Sequence, residues 1–96
     1  MNELDELLIK VFEARFKKLE SIKLQHYEEA AGLRDGERHL EEKIFKKIYG
    51  EGVNYDWKLF ETTIDEYLIK EHGFSYKSSD SLTQLKRQLK LKELLG

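Results

Sequence analysis

Residues 26–43 read HYEEAAGLRDGERHLEEK, and this stretch decides the fold that we expect for the chain. Two glutamates follow Tyr27, and acidic residues in a first turn complement the positive end of a helix dipole. Apolar residues then recur at helical spacing along one side, in the order Ala30, Leu33, Leu40, Ile44 and Ile48. The stretch therefore predicts the first part of a helix that runs from about residue 27 to residue 49.

Another long helix is predicted before it, from about Asn2 to Leu24. Its apolar stripe consists of Leu4, Leu8, Phe12, Phe16, Leu19 and Ile22, and Leu7 and Val11 widen it. Only a few residues around Gln25 and His26 separate the two helices, and so short a connection makes them antiparallel neighbours. We therefore expect an antiparallel helical hairpin over residues 1–50.

Two shorter helices are predicted in residues 51–96. The run Gly50-Glu51-Gly52 ends the second helix, because glycine tolerates the left-handed conformation of a helix exit. The third helix extends from about Asp56 to His72, before Gly73, and directs Trp57, Phe60, Ile64, Tyr67 and Leu68 inward. Residues 74–80 form a loop. Ser81 and Gln84 have the spacing of a capping box, so the fourth helix begins at Ser81 and carries Leu82, Leu85 and Leu89 toward the core.

The fold class that follows is all-α, with one domain in which the two shorter helices pack on the hairpin. Ninety-six residues suit a single modest core. Cysteine is absent, the N-terminus is acidic rather than signal-like, and no apolar run reaches the ~20 residues of a bilayer span. These features indicate a soluble cytoplasmic protein with no membrane segment.

The order Tyr27-Glu28-Glu29-Ala30-Ala31, then Leu33-Arg34-Asp35 and Leu40, resembles the UvrB/UvrC motif. The continuation Glu37-Arg38-x-Leu40 is most similar to the form in the middle domain of ClpC-type unfoldases. The motif is a short helical hairpin that serves in protein–protein contacts. The resemblance covers residues 23–43 and implies a bacterial adaptor or regulatory subunit. Its partner would be a Clp-type AAA+ unfoldase, a protein arginine kinase complex or an excision-repair subunit. By matching position, the contact or its scaffold would involve Tyr27, Ala30, Ala31, Leu33, Arg34, Asp35 and Leu40.

Gly32 and Gly36 depart from the usual motif, and each costs a helix interior about 1 kcal/mol relative to alanine. Their four-residue spacing places both on one face. Either they permit close approach by another helix, within this chain or from a partner, or they only weaken this helix. Apolar surface that the short helices leave uncovered would find another protein or a second copy, so a homodimer is also expected.

The spacing of the charged residues on the second helix predicts which side chains can contact each other. Asp35 can meet Arg38 or His39 one turn on, and Arg34 can reach Glu37 or the first helix. Glu42 and Lys46 have the spacing of a favourable ion pair.

No catalytic pattern is present in the sequence. His26, His39 and His72 lack the spacing of a metal pair, and Gly50-Glu51-Gly52 lacks the lysine and hydroxyl of a phosphate loop. We therefore expect no enzyme, cofactor or metal. The net charge of −2 argues against nucleic-acid binding. The alternative that remains is such binding through the basic residues of the last helix, which are Lys86, Arg87, Lys90 and Lys92.

Overall fold

The computed structural model describes residues 2–95, and in that range it contains four α-helices and no β-strand. They are α1 (Glu3–Lys23), α2 (Tyr27–Tyr49), α3 (Trp57–His72) and α4 (Ser81–Leu95). The predicted all-α class and its four helices are confirmed. The chain divides into two compact units, Met1–Val53 and Asn54–Gly96, so that each unit contains two of the helices.

The helix ends are set by polar caps and by glycine. Asn2 Oδ1 accepts a hydrogen bond from the backbone N–H of Asp5 at 2.7 Å, which satisfies one free donor at the start of α1. Asp56 does the same for α3, because its Oδ1 accepts from the N–H groups of Lys58 and Leu59 at 3.0 and 3.2 Å. Gly73 ends α3 in the left-handed conformation, with φ at 77°.

The start of α4 was predicted at the correct residue, but its capping partners were wrong. Ser81 is the first helical residue and is only 3% exposed. The side-chain amide of Gln84 donates instead to Ser78 Oγ at 3.0 Å and to the Asp80 carboxylate. Ser78 Oγ in turn donates to Asp80 at 2.7 Å. These side-chain contacts join Gln84 to residues that precede the helix by one and three positions.

In the first unit, α1 and α2 pack closely against each other. The buried apolar residues of these helices are Leu7, Leu8, Val11, Phe12, Ala30, Ile44 and Phe45. Phe45 lies outside the predicted stripe of α2, yet it is 1% exposed and its ring centroid is 4.8 Å from that of Tyr49. In the predicted stripe of α1, Leu8 and Phe12 are buried and Leu4 is half-buried. The later positions of the stripe are exposed.

The second unit has its own buried residues, which are Phe60, Ile64, Leu68, His72, Phe74, Tyr76, Ser81, Leu85 and Leu89. Those of α3 follow a strict four-residue spacing from Phe60 to His72. Trp57 was predicted to face inward and is instead 56% exposed, since it is the first residue of α3 and lies off that row. Lys58 Nζ lies 5.6 Å from the centre of the Trp57 ring.

The loop of residues 73–80 contributes buried side chains to this second unit. Asp65 of α3 fixes it, because Asp65 Oδ1 accepts from Ser75 Oγ at 2.7 Å and from the N–H of Tyr76 at 2.8 Å. Tyr76 then meets Phe60 edge to face, with centroids 5.5 Å apart. Phe74 is 6% exposed and Tyr76 3%. The segment is a loop, as predicted, but two of its aromatic residues are buried.

Candidate protein-contact surface

The motif-like residues of α2 divide into a packed set and an exposed set. Ala30 is buried, and Leu33 and Leu40 are half-buried. The exposed members are Tyr27, Ala31, Arg34 and Asp35, and Tyr27 has 65% of its surface accessible. The first set holds α2 in place, whereas the second is accessible to another molecule.

Glu37 is the main cross-helix contact within this stretch. Its carboxylate accepts from Lys18 Nζ at 2.8 Å and from Arg15 Nε at 3.3 Å, and its side chain is 9% exposed. Sequence reasoning missed this group and offered Glu37 only as a neighbour for Arg34. Two features of the sequence could have indicated it. Glu37 occupies a position of the apolar stripe of α2, between Leu33 and Leu40, and α1 has two cations one turn apart.

The exposed charges of α2 form fewer contacts than their spacing suggested. Arg38 Nε lies 3.3 Å from Glu42 Oε1, a pair that the spacing argument did not name. Within residues 2–95, the side chains of Arg34 and Asp35 have no hydrogen bond or ion pair. Both charged groups are therefore accessible to a binding partner.

A set of exposed apolar side chains lies in the last part of α1, in the connection and at the first residue of α2. We call it the tip surface, and its exposed fractions are Phe16 55%, Leu19 49%, Ile22 41%, Leu24 64% and Tyr27 65%. The connection itself is held by backbone hydrogen bonds from Gln25 to Ile22 O at 3.0 Å and from His26 to Ser21 O at 2.8 Å. Gln25 is in the left-handed region, with φ at 62°. Clustered exposed apolar side chains are typical of interaction sites.

The space around Gly32 and Gly36 is open. A Cβ atom at either position would have no neighbouring atom within 4 Å among the described residues. Close approach by α1 is therefore not the reason for these glycines.

The basic residues of α4 lie on the surface. Lys86, Arg87 and Lys90 are exposed, whereas Leu85 and Leu89 of the same helix are buried. Lys92 is exposed as well, and its Nζ lies 3.9 Å from Glu71 Oε2. The structure thus leaves these four cations accessible to solvent.

The carboxyl groups of Glu3 and Asp80 each have a lowered pKa, and both shifts have structural causes. A hydrogen bond and charge attraction from Lys47 lower the pKa of Glu3. Hydrogen bonds from Ser78 and Gln84 lower the pKa of Asp80.

Over residues 2–95, no group of three or more His, Cys, Asp or Glu side chains could hold a metal ion. In the same range, no helix is long and apolar enough to span a membrane.

No protein-family model, curated protein or solved structure matches the chain. The resemblance to the UvrB/UvrC motif therefore rests on the residues of α2 that carry it. The candidate contact surface rests on the exposure of those residues and of the tip surface.

Proposed function

We propose that this protein is a non-enzymatic protein–protein interaction module that binds its partner through the tip surface and the adjoining Arg34 and Asp35. The single observation that carries the proposal is the exposure of five large apolar side chains in residues 16–27. Burial of apolar surface is the main driving force of association, at roughly 25 cal/mol per Å². Tyrosine and arginine are also among the residue types that most often dominate binding energy, and Tyr27 and Arg34 are both exposed.

We further propose that α1 and α2 form an antiparallel hairpin with the tip surface at its bend. Two ion pairs support this arrangement. Glu3 at the start of α1 meets Lys47 near the end of α2, whereas Lys18 near the end of α1 meets Glu37 in the middle of α2. The residue that comes later in α1 therefore pairs with the residue that comes earlier in α2, as antiparallel helices require.

The resemblance to the UvrB/UvrC motif supports a bacterial partner of a particular kind. A Clp-type AAA+ unfoldase, a protein arginine kinase complex and an excision-repair subunit are the three candidates. In each case the chain would act as an adaptor or regulatory subunit, and the exposed motif residues Tyr27, Ala31, Arg34 and Asp35 would form the contact.

A pull-down from the native organism tests this function. The bait variant Tyr27→Ala with Arg34→Ala should lose one specific partner that the wild type captures. The matched control is Trp57→Ala with Arg87→Ala, which removes an exposed aromatic and an exposed arginine from the second unit. Equal capture by both double variants would show that the hairpin residues are not the binding site.

Nucleic-acid binding is the second candidate, because Lys86, Arg87 and Lys90 are all exposed on α4. A gel shift at increasing salt concentration tests it, since phosphate contacts release counterions and weaken steeply with salt.

A third candidate is a purely structural homodimer, in which a second copy covers the tip surface. Light scattering at high protein concentration would show a mass of two chains in that case and of one chain otherwise.

A further inference from the structure

We propose that Glu37, Arg15 and Lys18 form a latch that holds the tip-surface halves of α1 and α2 in one register. The proposal concerns the control of the tip surface, and its relevance to binding rests on the proposed function. The latch is defined by the two contacts from Glu37, at 2.8 Å to Lys18 and 3.3 Å to Arg15.

The position of the latch along the helices gives it this role. On one side lie large buried residues such as Leu8, Phe12 and Ile44, each at most 1% exposed. On the other side, over residues 16–36, the only buried residues are Ser21 and Ala30. Such small side chains bury little apolar area, so apolar packing holds this part of the two helices weakly. The two directional contacts of Glu37 join α1 to α2 at the edge of this part.

The chemistry of the three groups suits a register-setting contact. The carboxylate is 9% exposed and each cation 21%, so solvent screens their attraction only in part. The Arg15 guanidinium also lies 5.3 Å from the centre of the Phe12 ring, which connects the latch to the packed part of the unit. Buried ionic groups add little net stability compared with apolar residues, and their best-supported use is to fix one register.

Hydrogen exchange on the full chain tests the latch without any partner. In Glu37→Gln, amides in residues 16–36 should exchange about 10- to 100-fold faster, because one charge-assisted acceptor is lost. Amides around Leu8 and Ile44 should keep their rates. The matched control, Glu42→Gln, removes a carboxylate from an exposed pair one turn away and should change neither set. Equal acceleration of both sets, or no change in residues 16–36, would overturn the proposal.

The variant Glu37→Leu distinguishes the effect of the ionic contacts on the register of the two helices from their effect on overall stability. It fills the same position with an apolar group, so the melting temperature should stay equal or rise while residues 16–36 still exchange faster than in the wild type. Slower exchange there would show that any packed side chain holds the two helices, and would overturn the latch. These rates are independent of the pull-down, so a failed latch and a failed binding function give different results.

Discussion

Phe12 and Phe16 lie one turn apart on the same face of α1, and Phe12 is 1% exposed whereas Phe16 is 55% exposed. The packed part of the first unit therefore ends between these two residues. Leu19 continues the same face and is 49% exposed. One continuous apolar stripe in the sequence thus serves as core at its beginning and as accessible surface at its end.

Alanine substitutions at these two phenylalanines should have very different effects on folding. Phe12→Ala should lower the free energy of unfolding by about 3–5 kcal/mol, because it removes a fully buried ring. Phe16→Ala should change it by less than about 1 kcal/mol, since most of that ring is already in water. Urea denaturation measures both values. Similar losses for the two variants would contradict the boundary described here.

Gly32→Ala and Gly36→Ala should each stabilise the protein by about 1 kcal/mol. Both glycines lie within α2, and an added methyl group has open space at either position. Thermal unfolding measures the gain. If partner binding is intact in the stabilised double variant, close approach of a partner at these glycines is excluded; a loss of binding would support it.

Asp80 should make stability depend on pH in the acidic range. Its lowered pKa means that the folded state favours the carboxylate, so Asp80 contributes stability above the unfolded pKa of about 3.9 and loses it as pH falls through the lower folded value. The difference in melting temperature between wild type and Asp80→Asn should therefore be constant near neutral pH and shrink in strong acid. Ser78→Ala should raise the pKa of Asp80, which an NMR titration would show.

Asp65→Ala should destabilise the second unit by about 1–3 kcal/mol. The change leaves the N–H of Tyr76 and the hydroxyl of Ser75 without their acceptor, in a partly buried position. The neighbouring Glu66 is exposed, and Glu66→Ala should change the free energy of unfolding by less than about 0.5 kcal/mol. Chemical denaturation followed by Trp57 fluorescence compares the two variants. Equal values would show that Asp65 does not hold the loop.

Much of the fold could be predicted from the sequence because local signals determine it. Helical periodicity, Asp56 and the glycines at 50 and 73 gave the four helices and their ends nearly to the residue. The burial of Phe74 and Tyr76 could not be predicted, because their loop is held by Asp65, which binds Ser75 and Tyr76 from ten and eleven residues earlier in the chain. Local spacing also fails for Glu37, whose partners lie on another helix.

The candidate site was predicted only in part for the same reason. The sequence pointed to Tyr27 and Arg34, and both are exposed. Periodicity places Phe12, Phe16 and Leu19 on one face, but it does not show how far neighbouring helices cover that face. The division of the stripe into core and tip surface therefore required the structure.

The affinity of the captured partner for two matched variants tests the central claim most directly. Leu19→Gln alters the tip surface, and Ile69→Gln alters an equally exposed apolar residue of α3, since the two are 49% and 55% exposed. Titration calorimetry should show binding weakened at least about tenfold by Leu19→Gln and nearly unchanged by Ile69→Gln. Equal affinity of the two variants and the wild type would contradict the claim that the tip surface binds the partner.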